Sequence, residues 1–375
     1  MACRIVHFAD LHLDTSFAAS RMTSSVASRR REDLRAALRR IVDFAISTQA
    51  DAVTIGGDLY EQDRCTIDTA NFLRHEFERA HPIRVLISPG NHDPWLPHSL
   101  YRQVAWPPNV FVFAETTPYP YRMGDVTIWG AAHDSPACRD NLIASTRVPT
   151  DGIHLLLLHA SDTASIPTAK GVYCPLATED VSRAGFALAL LGHYHGARLT
   201  PANRPLICYP GSPEPLGFDE EGPHYVVVVK ADEQGLEPRL VKINQTNYVN
   251  LNIDISGADT RQDIKDAVTK RAEEHNLANA FVRLRMIGML HPQVDLDPDS
   301  LLSDLSEHFA FLDLHNDTYP AYDLEALKDD HTVRGAFVRR MVALRDKVGP
   351  SETRKVEQAL YLGLQALDGR ELRPR

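Results

Sequence analysis

Short apolar runs alternate with longer amphipathic stretches over the first two hundred residues. "RIVHFAD" (4–10), "DAVTIGGD" (51–58), "IRVLISPGNHD" (83–93), "VTIWGAAH" (126–133), "GIHLLLLHAS" (152–161) and "FALALLGHYH" (186–195) are short and apolar, and they close on polar residues. Runs of that length read as buried strands. Between the first two, residues 28–50 place Leu34, Leu38, Ile41, Val42, Ala45 and Ile46 on one helical face, with arginines on the other. Residues 66–81 repeat the pattern more weakly. Strand, helix and strand in this order predict an α/β core.

The pattern changes after about residue 232. "NYVNLNIDISG" (247–257) and "AFVRLRMIGML" (280–290) predict strands around a helix over 260–276. From about residue 319 the chain is helical and polar. Three parts are expected: 1–232, a small α+β unit over 233–318, and a helical tail over 319–375.

Composition narrows the class. Hydrophobic content of 43% and charged content of 24% are those of a soluble globular protein. Apolar runs such as 155–158 fall far short of the ~20 residues of a membrane span. The start of the chain shows no signal-peptide pattern, so no leader is expected. Five scattered cysteines without a C-x-x-C pair argue for reduced thiols in a cytoplasmic setting. A formal net charge of −10 argues against a general basic surface for nucleic acid.

The polar strand ends carry the chemistry: Asp10 and His12, Asp58, Asn91-His92-Asp93, His159, and His193 with His195. Ligands gather beyond the carboxyl ends of strands in open α/β sheets. Side chains at i and i+2 of an extended segment point the same way. Asp10 and His12 could therefore reach one ion, and His193 and His195 one centre or two adjacent ones. Imidazole with carboxylate or amide oxygen, and no thiolate, favours manganese, iron or zinc in a reactive site over a structural zinc. Asp58 could bridge two cations, a recurrent device for cleaving phosphoesters. Asp10 and Asp58 could instead be helix N-caps, and Asp14 fits a cap or loop better than a ligand. His133 could line a substrate groove or sit in a plain loop. Tyr194 could pack or wall a groove. Ser212 could meet a substrate phosphate, or its "YPGSPEP" segment could simply build a rigid turn. The arginines Arg29, Arg30, Arg31, Arg35, Arg39 and Arg40 fit a solvated helix face. Arg334, Arg339, Arg340 and Arg345, interleaved with Phe337, Val338 and Met341, suggest a partner-binding helix.

D-x-H, GD, GNHD, a lone histidine and GHxH, in that order, resemble the calcineurin-like metallophosphoesterase superfamily. "YPGSPEPLGFDEEG" (209–222) is similar to a segment of the SbcD-type DNA repair exonucleases. "ADLHLDTSF" (9–17) and the 322–341 stretch resemble the YhaO-like branch. The resemblance implies a four-layer α/β/β/α sandwich with a small α+β capping, DNA-binding domain and a helical C-terminal tail. It implies two divalent ions, manganese first and iron or zinc as alternatives. Asp10, His12, Asp58 and His195 would hold one, and Asp58, Asn91, His159 and His193 the other. His92 would contact the scissile phosphate or protonate the leaving oxygen, and Asp93 would orient His92. The implied reaction is hydroxide attack on a DNA phosphodiester, in exonuclease or endonuclease mode. The implied partners are DNA, an SbcC/YhaN-like ATPase of the structural-maintenance kind, and a second copy of the chain; no membrane is implied. An acidic chain is expected to bind DNA weakly and with salt sensitivity. Two other readings stay open: a phosphodiesterase or phosphatase for small nucleotides or phosphoproteins, and a non-catalytic scaffold for the ATPase.

Overall fold

The computed structural model describes residues 3–17, 22–164, 171–232, 235–291, 294 and 296–369. The chain divides into two compact units, 1–247 and 248–375.

In the first unit, elements follow in the order β1 (Cys3–Phe8), α1 (Ser24–Ser47), β2 (Ala52–Ile55), α2 (Ile67–Arg79), β3 (Arg84–Ile87), α3 (Leu100–Gln103), β4 (Val110–Val112), β5 (Tyr119–Met123), β6 (Val126–Gly130), β7 (Ile153–His159), α4 (Thr178–Ala184), β8 (Leu188–Gly192), β9 (Arg198–Thr200), β10 (Ile207–Tyr209), β11 (Tyr225–Asp232) and β12 (Gly235–Lys242). They form two six-stranded sheets, ordered β12-β11-β1-β2-β3-β4 and β5-β6-β7-β8-β10-β9. The central pairs are parallel: Ile5 to Phe8 run beside Ala52 to Ile55, and Leu155 to His159 beside Leu188 to Gly192.

Period-2 alternation sorts each strand into two cores. In β1, Val6 and Phe8 join a core with Leu34, Leu38 and Ile41 of α1, while Ile5 joins a second core. In β7, Leu155 and Leu157 face that second core, and Leu156 and Leu158 pack with Val181 and Ala184 of α4. The second core therefore lies between the sheets, with helices outside each, which is the expected four-layer order. The central strands read as unbroken apolar runs because both their faces are covered.

The helices start where side chains can cap them. Thr23 and Thr66 accept the Val26 and Thr69 amides at the heads of α1 and α2. Asp10 and Asp58 cap neither helix. The α1 face differs from expectation at Ile46, which is exposed, at Arg30, which is fully buried, and at Arg35 and Arg40, which are half-buried and paired with Asp68 and Glu214. The Arg30 guanidinium bonds Asp33, Thr246 and the Pro215 carbonyl.

The expected boundary at 232/233 falls inside a hairpin. β12 pairs with β11 from Tyr225 opposite Lys242 to Asp232 opposite Gly235, so the first unit runs on to Asn247.

The second unit contains β13 (Asn247–Asp254), α5 (Arg261–Glu274), β14 (Ala280–Ile287), β15 (Met289–Leu290), α6 (Pro298–Leu305), β16 (Phe311–Asn316), β17 (Tyr319–Pro320), α7 (Leu324–Asp329), α8 (Val333–Arg345) and α9 (Pro350–Leu367). β13, β14 and β16 form one sheet, and its core includes Ile264 and Val268 of α5 and Leu301 of α6. Val338 and Val342 of α8 pack with Leu360 and Leu364 of α9, and Phe337 and Met341 lie against the same cluster. The apolar side of α8, expected to await a partner, is thus covered within its own unit. No helix among the described residues is long and apolar enough to cross a membrane.

Candidate metal centre

Five strand ends of the first unit supply the candidate ligands: β1 leads to Asp10 and His12, β2 to Asp58, β3 to Asn91 and His92, β7 ends on His159, and β8 leads to His193 and His195. The two sheets meet at this edge. The His7 ring nitrogen donates to the Leu191 carbonyl (3.1 Å), and the His193 amide donates to the Asp10 carboxylate (3.0 Å). A Cβ on Gly192 would stand 2.7 Å from the Ala9 side chain. Only glycine permits that approach.

Asp10 and His12 are not on an extended segment, as the i, i+2 argument supposed. Asp10 (φ 55°), His12 (φ 50°), Asp58 (φ 51°) and His193 (φ 107°) all stand in the positive-φ region. Residues with a Cβ are rarely held there, and such strain concentrates at functional sites. Backbone bonds over-determine it: the Asp10 amide donates to Gly57 (3.1 Å) and the His12 amide to Asp58 (3.0 Å). Coiling the backbone, rather than extending it, turns these side chains inward.

Every candidate histidine ligand has one ring nitrogen engaged by the protein. His12 Nδ1 donates to Glu61 (2.8 Å), His195 Nδ1 to Glu220 (2.6 Å), His159 Nδ1 to the Gly56 carbonyl (2.7 Å) and His193 Nε2 to the Gly171 carbonyl (2.9 Å). Such bonds fix the tautomer and leave the other nitrogen a lone pair for a cation. His159 Nε2 lies 3.0 Å from Asn91 Oδ1 and 3.2 Å from Asp58 Oδ2. His12 Nε2 lies 3.7 Å from Asp58 Oδ2 and is buried without a hydrogen-bond partner. Asp10, His12 and His195 bring ligand atoms within 4.8 Å of one another, and so do Asp10, Asp58 and His159.

The electrostatics fit a cation. Asp10 and Asp58 are buried, at 0% and 2% exposure. Burial opposes ionisation of Asp58, but His159, His12 and His92 outweigh it and hold the carboxyl well below its usual range. Burial likewise opposes charge on His159, yet Asp58 pushes its pKa up to about 9. A proton is thus drawn to the place a metal would take. His193 is pushed down to about 4 by burial and then by His159, which keeps it neutral as a ligand must be. An orphaned buried nitrogen, clustered carboxylates and a neutral His193 suit a divalent ion with nitrogen and oxygen donors.

Several expected roles change. Asp93 does not orient His92. Its buried carboxylate accepts the amides of Asp58 (3.0 Å), Leu59 (2.7 Å) and Gly90 (2.7 Å) and the Tyr101 hydroxyl (2.5 Å), so all its capacity goes to holding the two loops together. His92 Nδ1 meets Glu61 instead, at 2.9 Å. Ser212 is fully buried and donates to Glu220 (2.7 Å), which leaves no hydroxyl for a substrate phosphate. His133 is fully buried and donates to the His159 carbonyl (2.7 Å), supporting a ligand rather than lining a groove. Tyr194 keeps both readings: it is 3% exposed, packs on Tyr209 and His193, and lines the cavity beside His195. Asp14 accepts the Thr69 hydroxyl, as suits a loop residue.

Glu61 and Glu220 carry no signal in the sequence. Glu61 lies three residues past Asp58, and Glu220 within the 209–222 segment; neither has a spacing that marks it. Beside His195 a cavity of about 700 Å³ is lined by Arg198, Asp219, Glu220, Glu221 and Tyr225, among others.

Comparison with known proteins agrees with this geometry. The chain is 30% identical over 230 residues to an uncharacterized metallophosphoesterase, YhaO, of Bacillus subtilis, covering 58% of this chain and 54% of that one. It is 26% identical over 230 residues to the DNA double-strand break repair protein Mre11 of Sulfurisphaera tokodaii (57% of each chain). It is 24% identical over 302 residues to Mre11 of Haloferax volcanii (76% of this chain, 61% of that one). The chain thus spans somewhat over half the length of these relatives. The family model for calcineurin-like phosphoesterases matches residues 3–197, the span that holds every candidate ligand, and the chain belongs to that family.

Proposed function

We propose that the chain is a dinuclear-metal phosphodiesterase that cleaves DNA. The observation that carries the reading is the pair of clusters, Asp10-His12-His195, buried but for a partly exposed His195, and Asp10-Asp58-His159, fully buried, at one sheet edge. Asp10, His12, Asp58 and His195 would hold one ion, and Asp58, Asn91, His159 and His193 the other. Manganese suits the donor set best, with iron or zinc next. Bound there, such cations depress the pKa of water and offset charge on phosphoryl oxygens.

The chain's own residues supply the rest. Asp58 accepts the His92 amide (2.8 Å), which fixes the loop carrying His92. The His92 ring is 44% exposed and anchored through Nδ1, so Nε2 remains for a phosphate or leaving-group oxygen. Asp93 ties the Asp58 and Gly90 loops, so the candidate ligands stay in place as substrate enters.

The DNA reading is supported by the likeness to the Mre11 proteins and by the 209–222 segment. The acidic chain then needs help to grip DNA, which favours a structural-maintenance ATPase partner, a second copy, or both. The second unit, as a capping domain, would add DNA contacts. The five cysteines are free thiols, which suits a reducing, cytoplasmic setting.

The test incubates the chain with manganese and end-labelled single- and double-stranded DNA, beside a chromogenic phosphodiester. DNA cleavage that chelation abolishes is expected. Hydrolysis of the chromogenic ester with DNA left intact would overturn the DNA assignment, and no hydrolysis of either would overturn the enzyme assignment.

A further inference from the structure

The 209–222 segment points to a function other than the phosphate loop its sequence suggested. Ser212 and Glu220 hold His195 from two sides. The Ser212 amide donates to the His195 carbonyl (3.1 Å), and Glu220 accepts His195 Nδ1 (2.6 Å). Gly211, at φ 76°, allows the contact: a Cβ there would stand 2.9 Å from the Ala197 amide. The second oxygen of Glu220 accepts the Ser212 hydroxyl (2.7 Å) and the Leu216 amide (3.0 Å). His224 closes the loop. Its Nδ1 lies 2.7 Å from the Ser212 carbonyl and its Nε2 3.1 Å from the Glu220 carbonyl.

We propose that Glu220 is the positioning residue of the first cation site, and that the 209–222 segment is the brace that aims it. The proposal rests on the metal reading of Asp10, His12 and His195. A carboxylate on Nδ1 commits His195 to bind through Nε2, the nitrogen that stands 3.9 Å from Asp10 Oδ1, and raises its basicity. A carboxylate held by a hydroxyl and an amide cannot swing away, so the ring is aimed before a metal arrives. Two features argue for this over plain loop structure. The bond runs to a ring nitrogen at the site itself, and the oxygen not used by the ring is fully occupied by the segment.

Glu220 lines the cavity beside His195. Truncating it enlarges an existing void instead of opening one in a core, so the variants should fold. The test is manganese titration calorimetry on the whole chain, with melting curves in chelator and imidazole NMR. Glu220→Ala should weaken one manganese site about 10- to 100-fold while the metal-free melting temperature stays near wild type. Ser212→Ala should weaken the same site less. Glu220→Gln, which keeps an acceptor for Nδ1, should restore part of the affinity. The downfield Nδ1–H signal that His195→Gln removes should also vanish in Glu220→Ala and persist in Glu220→Gln. Wild-type affinity in Glu220→Ala, or a loss that only tracks the melting temperature, would overturn the proposal. If wild type itself binds no manganese, the metal reading falls first and takes this one with it.

Discussion

One carboxylate joins His12 to His92. Glu61 accepts Nδ1 of His12 at 2.8 Å and Nδ1 of His92 at 2.9 Å, and the two rings meet edge to face at 4.7 Å. Glu61 is itself held as an anion: burial opposes this, but the two histidines pull its pKa down to about 2. A glutamine would replace one of the two acceptor oxygens with an NH2 donor, so only one ring would keep its N–H···O bond. Glu61→Gln should therefore cost about 10- to 100-fold in manganese affinity, read by calorimetry, and loosen His92. Unchanged affinity would mean that the neighbours of His12 hold it without help.

His92 should separate binding from chemistry. Its ring is exposed at the rim, and it groups with His12 and Glu61 rather than with either cluster built on Asp10. His92→Ala is expected to keep manganese stoichiometry and lose about 10²- to 10⁴-fold in cleavage rate. His193→Ala should instead lose one of two metals. A His92→Ala protein that cleaved at the wild-type rate would remove His92 from the reaction.

The strands and the donor residues were legible because burial and ligation impose residue types. Two covered faces demand runs such as "LLLLH", and a cation site demands imidazole and carboxylate. What stayed hidden is geometry. The positive φ of Asp10 and His12 has no residue-type signature, so spacing alone suggested an extended segment. β12 escaped notice because it is an edge strand that alternates exposed and half-buried residues and contains Pro238. Arg30 reads as solvated like its neighbours, since a charge run does not disclose which member turns inward. The role expected of Asp93 falls to Glu61 for a similar reason. Both are acids near His92, and only the fold decides which one meets its ring.

Gly90 should tolerate no side chain. A Cβ would stand 2.7 Å from the Asp58 amide and 2.9 Å from His159 Cγ. The first is backbone and the second is locked by Gly56, so neither can yield cheaply. Gly90→Ala is expected to cost about 1–3 kcal/mol of stability and to lower manganese affinity. Gly349→Ala, with nothing within 4 Å of its Cβ, should do neither. Denaturant melts read with and without manganese decide it, and equal behaviour of the two variants would contradict the packing described.

The arginines of α1 divide into structural and solvated members. Arg40 Nη2 lies 2.6 Å from Oε1 of Glu214, a carboxylate with no exposed side-chain surface, and Arg40 also donates to the Ile243 carbonyl. Burial already raises the Glu214 pKa, and Arg40 works against that rise. Removing Arg40 strands a buried charge, so Arg40→Ala should cost about 3–5 kcal/mol near neutral pH. Exposed Arg29→Ala should stay within about 0.5 kcal/mol. The sign of the pH dependence follows from Glu214. Its folded pKa lies above the unfolded value, so the fold favours the neutral acid, and stability is lost as pH rises through that interval. Without Arg40 the folded pKa rises further and the loss grows. The Arg40→Ala penalty should therefore shrink as pH falls and Glu214 takes up a proton. Denaturant melts across the acid range measure it, and a penalty independent of pH would show that Arg40 acts through packing alone.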